Sequence, residues 1–379
     1  MIRSTVARVD LAALQANFRA IRQFLSADSS SVARGAPRII AVVKANAYSH
    51  GAERVALALE AGGATMLACA DIEEGVALRR AGVAVPILVF GALSVSDLDG
   101  IFEQALTPTI STPSAARAVE AAAARRGVRT AYHLKIDTGM NRLGFRHDNL
   151  RQTLPELFAS PHLYLDAAYT HFASADDPEA GVFGDQRLRF DAALQVITAL
   201  GGRPGMVHAA NSAGLLRDSR VWYDAVRPGL LLYGIVPPPL SSTIALQPVM
   251  SVTSRVVAVK GVRREEGVGY GWRFTASEAT TIAVIPAGYA DGLDTRLSGR
   301  GFVLIRGRRV PIVGAVSMDM MTVDVTGMDV APGDEVVIIG RQGSESWQQI
   351  DAREVAAEIG AIPWEVMCRV GARIERQYS

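Results

Sequence analysis

Ile39-Ile40-Ala41-Val42-Val43-Lys44-Ala45-Asn46-Ala47-Tyr48-Ser49-His50-Gly51 is a branched apolar run that ends on a lysine and opens into a polar loop closed by glycine. Ile39–Val43 reads as a buried strand, and the spacing predicts a helix over Ala52–Glu60 directly after the loop. This is one β-then-α unit with a cation at the strand's far end. An ammonium held against a dry strand end loses solvation, so its neutral form becomes more available. A neutral lysine amine is the nucleophile that makes a Schiff base with a carbonyl. A lone lysine equally well snorkels out of a strand end, so its neighbours decide.

Outward from that unit the pattern repeats as far as Gly234. Asp10 is placed to cap a helix whose apolar face is Leu11, Leu14, Phe18, Ile21 and Leu25. Further strands are predicted at Met66–Ala70, Ile87–Phe90, Thr107–Ile110, Tyr132–Ile136, Tyr164–His171, Met206–His208 and Leu230–Ile235. Between them come helical patterns that start at Asp71 and near Ser94 and that cover Pro113–Arg126, Leu150–Phe158 and Asp185–Leu200. Repeated units of this number argue for an N-terminal parallel (β/α)8 barrel, with a doubly wound open sheet as the alternative, since periodicity alone does not prove closure.

Pro237-Pro238-Pro239 and Ser241-Ser242-Thr243 break the pattern. Beyond them Val249–Lys260, Thr281–Ile285, Phe302–Ile305, Arg309–Val316, Met321–Val325 and Glu335–Ile339 read as strands with glycine-rich turns, and one late helix is expected at Trp347–Ile359. The expected division is therefore an α/β barrel over 1–240 and a mainly β domain over 241–379.

Composition narrows the class. The chain has 379 residues, 49% hydrophobic and 20% charged, with a net charge of +1. Such a chain suits a soluble two-domain protein, and nothing in it suggests a nucleic-acid partner. No apolar run is long enough to span a bilayer and no signal peptide is visible, so a cytoplasmic protein is expected. Cys69 and Cys368 sit in apolar surroundings without metal-ligand spacing, and they read as reduced, buried thiols with no metal site.

In a β/α barrel, reacting residues lie on loops at the C-terminal ends of strands. Lys44 and Tyr48 fall there, as do Lys135-Ile136-Asp137-Thr138-Gly139-Met140-Asn141-Arg142-Leu143-Gly144, His171 and His208-Ala209-Ala210-Asn211-Ser212, and Arg227-Pro228-Gly229 comes near the last strand. Each has a plain structural counterpart: a satisfied core histidine at 171, a helix cap at Ser212, a turn pair between Asp137 and Arg142. Their joint placement favours a site for a phosphorylated cofactor. Ser212 and Gly229 offer a hydroxyl and close backbone N–H groups to a phosphate, and Arg142 suits a carboxylate.

The run Val43-Lys44-Ala45-Asn46-Ala47-Tyr48-Ser49-His50-Gly51 closely resembles the pyridoxal phosphate attachment signature of alanine racemases. The resemblance extends through the Lys135–Gly144 run, His171-Phe172-Ala173, Asn211-Ser212, Arg227-Pro228-Gly229, Val268-Gly269-Tyr270-Gly271, Gly288-Tyr289-Ala290-Asp291-Gly292 and Val316-Ser317-Met318-Asp319. It implies a homodimer with shared sites and an interconversion of L- and D-alanine that supplies peptidoglycan. Lys44 would hold the pyridoxal 5'-phosphate and act as one base, and Tyr270 would serve the partner's site as the opposite base. The resemblance further assigns the cofactor to Tyr48, His171, Asn211, Ser212, Arg227, Gly229 and Leu230. It assigns the substrate and its route to Arg142, Met318, Asp319 and Tyr289, and it makes Lys135 a candidate for carbamylation. Trp364 stands where the family usually has a tyrosine at the phosphate, and Thr295 stands where an arginine is frequent, with Arg296 one position on. Alternatives are a broader racemase acting on serine and a non-catalytic binding protein for the same cofactor.

Two bases on opposite faces meet the stereochemical need of racemisation. An arginine at the pyridine nitrogen has no proton to give up readily, which leaves that nitrogen unprotonated and weakens the ring as an electron sink.

Overall fold

The protein is described by a computed structural model covering residues 4–28, 35–93, 97–343 and 347–379. The chain forms two compact units: one of Leu14–Ala47 with Ala52–Leu246, the other of the residues up to Ala13 with Tyr48–Gly51 and Gln247–Ser379.

In the first unit eight parallel strands close on themselves. Arg38–Val42, Met66–Cys69, Ile87–Val89, Thr107–Ile110, Thr130–Asp137, Leu163–Tyr169, Met206–Asn211 and Ala225–Arg227 pair in chain order, and Ala225–Arg227 pairs back onto Arg38–Val42. The open-sheet alternative is thus excluded. The strands are near-continuous branched apolar runs, as parallel strands covered on both faces must be. Ile40, Ala41, Leu67, Ala68, Leu88, Val89 and Leu134 are all buried. Helices Ala52–Ala61, Ile72–Arg80, Pro113–Arg126 and Val182–Ala199 are among those that follow the strands. Asp71 caps Ile72–Arg80 and Thr112 caps Pro113–Arg126 through their side chains, and Gly127 closes the latter with a left-handed φ of 64°.

One predicted strand is wrong. Leu230–Tyr233 is a 3-10 turn ended by Gly234 at φ 77°, and the last barrel strand is Ala225–Arg227 before it. A short, wholly apolar Leu-Leu-Leu-Tyr run has no period to separate turn from strand. The helix expected near Ser94 begins outside the described residues, and Asp99–Glu103 is its described part.

In the second unit the principal sheet runs Ala258–Val262, Thr280–Ile285, Met321–Asp324, Arg308–Val313, Phe302–Ile305, Glu335–Gln342, Met250–Arg255, Val6–Val9, Glu375–Tyr378. The N-terminal strand lies between two strands from the far end of the chain, antiparallel to Met250–Arg255 and parallel to Glu375–Tyr378. The late helix starts only at Ala352, where Asp351 accepts the N–H groups of Arg353 and Glu354, and Gln348–Ile350 before it is a strand. A second helix, Pro363–Cys368, follows, and Cys368 on its last turn is exposed, against the buried thiol expected. Cys69 is buried. Among the described residues no helix is long and apolar enough to cross a membrane.

Candidate active site

Lys44 stands just past strand Arg38–Val42, half-buried. The backbone then does something L-residues resist. Ala45, Asn46, Ala47, Tyr48 and Ser49 have φ of 54°, 52°, 54°, 51° and 65°, a left-handed turn without a glycine. Each such residue costs about 1–2 kcal/mol, so the turn persists only where its surroundings hold it. Glu74 is the main hold in the barrel unit. Its carboxylate accepts the Ala45 N–H at 2.6 Å and the Ala70 N–H at 2.7 Å. Asn46 Oδ1 accepts the Ala52 N–H at 2.8 Å on the far side. Tyr48 to Gly51 belong to the other unit, where the Ser49 hydroxyl donates to the Cys368 carbonyl at 2.9 Å. Burial, and after it the Cys368 thiol, pushes the Tyr48 phenol's pKa up.

Strand Thr130–Asp137 alternates, so His133, Lys135 and Asp137 share one face, and all three are buried. Burial first, then the charges of Arg142, Arg227 and Lys44, push the Lys135 amine down to about 8 against a partial counter-effect of Asp137. Asp137 Oδ1 accepts the N–H groups of Gly139 at 2.9 Å and Asn141 at 3.0 Å, which folds the loop that presents Arg142. Asn141 takes φ 54°, and a Cβ on Gly144 would sit 2.6 Å from the Asp137 nitrogen. Arg142 is exposed and makes no ion pair among the described residues, so the turn pair with Asp137 does not form.

Arg227 is the most enclosed cation of the group, 3% exposed. It donates to His208 Nδ1 at 2.8 Å, to the carbonyls of Thr170 at 2.8 Å and Ala209 at 2.9 Å, and to His171 Nδ1 at 3.4 Å. None of these partners is an anion. Burial lowers its pKa to about 10. Burial, then Arg227, Lys135, Arg142 and Lys44, hold the His171 ring far below its usual value and therefore neutral. At the end of strand Met206–Asn211, Asn211 caps the helix Ser212–Arg217 by accepting the Gly214 N–H at 2.9 Å. Ser212 is therefore not the cap. Its hydroxyl accepts the N–H groups of Gly229 at 3.0 Å and Leu231 at 3.4 Å, beside Leu230 at the start of the 3-10 turn.

The barrel unit thus gathers Lys44, Lys135, Arg142, His171 and Arg227 in electrostatic reach, with the Asp137 carboxylate acting on Lys135, and a hydroxyl-and-amide corner at Ser212, Gly229 and Leu230. The remaining predicted residues lie in the other unit. Tyr270, Tyr289, Met318 and Asp319 line one open cleft of ≈ 610 Å³ there, which Thr295 also lines. Tyr270 sits on the 3-10 turn Tyr270–Trp272, between the paired strands Gly267–Val268 and Phe274–Thr275, and is 77% exposed. Gly288 permits the approach to Met318, because a Cβ there would lie 2.3 Å from the Ser317 oxygen. Asp319 pairs with Arg373 at 2.6 Å and Arg296 with Asp294 at 2.7 Å. Trp364 is half-buried on helix Pro363–Cys368, and its indole N–H has no partner among the described residues.

Sequence reasoning overlooks Glu74, which reads only as a helix first-turn acid, and Gln186. The latter is fully buried; it donates to Thr138 Oγ1 and the His171 carbonyl at 3.2 Å each and accepts the Ala173 N–H at 2.8 Å. No local pattern marks either residue. His133 is a third residue overlooked, although its two-residue spacing from Lys135, which puts it on the same strand face, is the signal that could have found it.

Residues 9–237 match the family described as alanine racemase, N-terminal domain, and residues 249–378 match alanine racemase, C-terminal domain. An alanine racemase of Symbiobacterium thermophilum is 40% identical over 380 residues, covering 100% of this chain and 98% of its own. One from Nostoc sp. is 38% identical, covering 97% and 94%. Among solved structures, alanine racemase from Streptomyces lavendulae superposes with a TM-score of 0.92 at 32% identity, covering 100% of this chain and 98% of its own. The Bartonella henselae enzyme with covalently bound pyridoxal phosphate gives 0.85 at 28% identity, covering 99% of both. Fold and full-length likeness together define an amino-acid racemase, an isomerase. The chain belongs to the alanine racemase family.

Proposed function

We propose that the barrel site holds pyridoxal 5'-phosphate and interconverts L-alanine and D-alanine with two bases, Lys44 and Tyr270 of the partner subunit. The observation that carries this reading is the gathering of Lys44, Lys135, Arg142 and Arg227, with the Asp137 carboxylate beside them, around a neutral His171 at the barrel's strand ends. Such a group favours a ligand with both a phosphate and a carboxylate. The residues suit the cofactor. Arg227 is a buried donor whose partners are all neutral, as an unprotonated pyridine nitrogen would also be. Ser212, Gly229, Leu230 and Asn211 would supply the barrel's part of the phosphate end, and Tyr48 and Trp364, the latter the counterpart of the family tyrosine, are the residues of the other unit proposed for the same phosphate.

Pyridoxal phosphate, when bound, supplies an aldehyde for the Lys44 amine and a conjugated ring that takes up electron density from the substrate's α-carbon. Lys44 Nζ takes or returns the α-proton on one face and the Tyr270 phenol of the partner subunit does so on the other. Arg142 and the Met318 backbone hold the substrate carboxylate, and Tyr289 and Asp319 line its route. His171 orients the ring from its side. Arg227 donates a hydrogen bond and no proton, which restrains side reactions that need a stronger electron sink. The depressed pKa of Lys135 keeps part of its amine neutral near pH 7, the form that reacts with carbon dioxide to give a carbamate and a proton. The carbamate's negative charge would brace Arg142. The exposure of Tyr270, Met318 and Tyr289 supports a homodimer, because this face of the second unit leaves large apolar side chains uncovered. A cytoplasmic supply of D-alanine for peptidoglycan is the role that fits.

The test is α-proton exchange in deuterated water by protein loaded with the cofactor. L-Alanine should acquire deuterium and yield D-alanine, faster than serine does. Loaded protein that leaves the α-proton of both alanine enantiomers in place would sink the proposal.

A further inference from the structure

Two buried histidines have no part in the chemistry above. His208 and His133 are both 0% exposed in the barrel interior. A guanidinium only donates, so His208 Nδ1 must accept from Arg227 at 2.8 Å. His208 then keeps its proton on Nε2 and donates it to His133 Nδ1 at 3.0 Å. That in turn fixes the His133 proton on Nε2, which faces Asp166 Oδ2 at 3.4 Å, an ion-pair distance without a conventional hydrogen bond. Only one tautomer of each ring satisfies the line. Tyr169 stacks on His208 with ring centroids 4.7 Å apart and holds its plane, while the Tyr169 hydroxyl is tied to Thr109 at 3.0 Å. The line runs from a strand-end arginine, through the barrel, to a carboxylate whose side chain is 48% exposed.

We propose that Asp166, His133 and His208 are positioning residues that act through Arg227: the carboxylate orients His133, His133 orients His208, and His208 fixes one edge of the guanidinium. This deepens the preceding reading and rests on Arg227 facing the ring nitrogen. The physical need is plain. Arg227 is a buried cation with four neutral acceptors and no contacting anion, an expensive arrangement. A carboxylate at the end of a polarised hydrogen-bond line makes each imidazole a better acceptor for the next donor. The guanidinium gains partial compensation along one edge while its other donors stay aimed at the ligand. A carboxylate in direct contact would have taken those donors. Burial keeps both imidazoles neutral, in agreement with the single-proton assignment.

The experiment uses full-length protein and its variants at Asp166 and His133. In cofactor-free wild type, 15N spectra of histidine-labelled protein should report Nε2-protonated rings for both His133 and His208. Asp166→Ala should turn His133 into a mixture of tautomers and move the His208 signals, although His208 does not touch Asp166. In the loaded enzyme Asp166→Ala should lower kcat about tenfold with KM for alanine little changed, the scale of losing an outer orienting partner. His133→Asn keeps an amide near the Nδ1 position for His208 but cuts the link to Asp166. It should lose about as much kcat, and the double variant should lose no more than the worse single one. Asp166→Glu should recover part of the loss. Histidine spectra indifferent to Asp166→Ala, or kcat losses that multiply in the double variant, overturn the relay. Failure of wild-type protein to take up pyridoxal phosphate would instead defeat the cofactor reading, and the cofactor-free spectra would still decide the relay.

Discussion

Two of the places that hold a cation in the barrel are built on opposite principles. Arg227 ends a regular strand, is fully enclosed, and meets four acceptors in ordinary geometry. Lys44 follows an equally regular strand, but the chain beyond it is forced through five left-handed residues. The difference follows from what each group must do. Arg227 must only point, so the barrel can encase it. In its proposed role Lys44 must stay reachable for a covalent bond to a ligand, and the chain beyond it is held by strained backbone against outside hydrogen bonds. The second unit presents its proposed base differently. Tyr270 stands there on a short turn, 77% exposed, with no enclosure of its own.

The largest break in this comparison is Lys44→Ala. Loss of its proton transfer alone should cost about 10²–10⁴-fold in racemisation, with more from the missing covalent anchor. Borohydride reduction of loaded wild type should label the peptide containing Lys44, and the variant should remain unlabelled there. Tyr270→Phe comes next. It should cut kcat by about 10²–10⁴-fold yet leave the bound cofactor's absorbance in place. A variant that still racemises at the wild-type rate would falsify the assignment of Tyr270 as a base.

Glu74→Ala tests the strain argument. Two backbone N–H groups lose their acceptor; the Ala45 N–H is exposed and can turn to water, so the loss is the net worth of a hydrogen bond to a charged group, about 1.5–3 kcal/mol. The melting temperature should fall, and labelling at Lys44 should slow as the left-handed turn loosens. Unchanged melting would mean that the turn is held from elsewhere. The smallest effect is in pH. Lys135 titrates near 8 in the folded chain and higher when unfolded, so the native state binds fewer protons between those values. Its stability penalty is full below about pH 8 and is relieved as pH rises toward the ordinary lysine range. Lys135→Met should flatten that part of the stability curve in urea titrations at stepped pH, carbon dioxide excluded.

Much of the site is legible in the sequence because barrel chemistry sits at strand ends, and strand ends are marked by an apolar run that stops on a polar residue. Lys44, His171 and Asn211 are marked that way, whereas Arg227 precedes the strand expected at Leu230–Ile235 and ends a strand, Ala225–Arg227, that the pattern does not show. Glu74 and Gln186 are not, since each acts through backbone groups of other segments and looks like any helix-surface acid or amide. The strand expected at Leu230–Ile235 fails for a related reason. Uniformly apolar residues give no period, and only the Gly234 turn and the pairing of Ala225–Arg227 with Arg38–Val42 and Met206–Asn211 settle the matter.

The order of residues alone dictates the alternation of strands and helices, the change to a β-rich second half, and the residue types available at each strand end. Those are local properties, set by side-chain periodicity and backbone preference. Closure of the barrel, insertion of Val6–Val9 beside Glu375–Tyr378, the left-handed turn after Lys44 and the line from Arg227 to Asp166 arise only in three dimensions. Each depends on hydrogen bonds between segments far apart in the chain, and such partners leave no mark on the residues beside them.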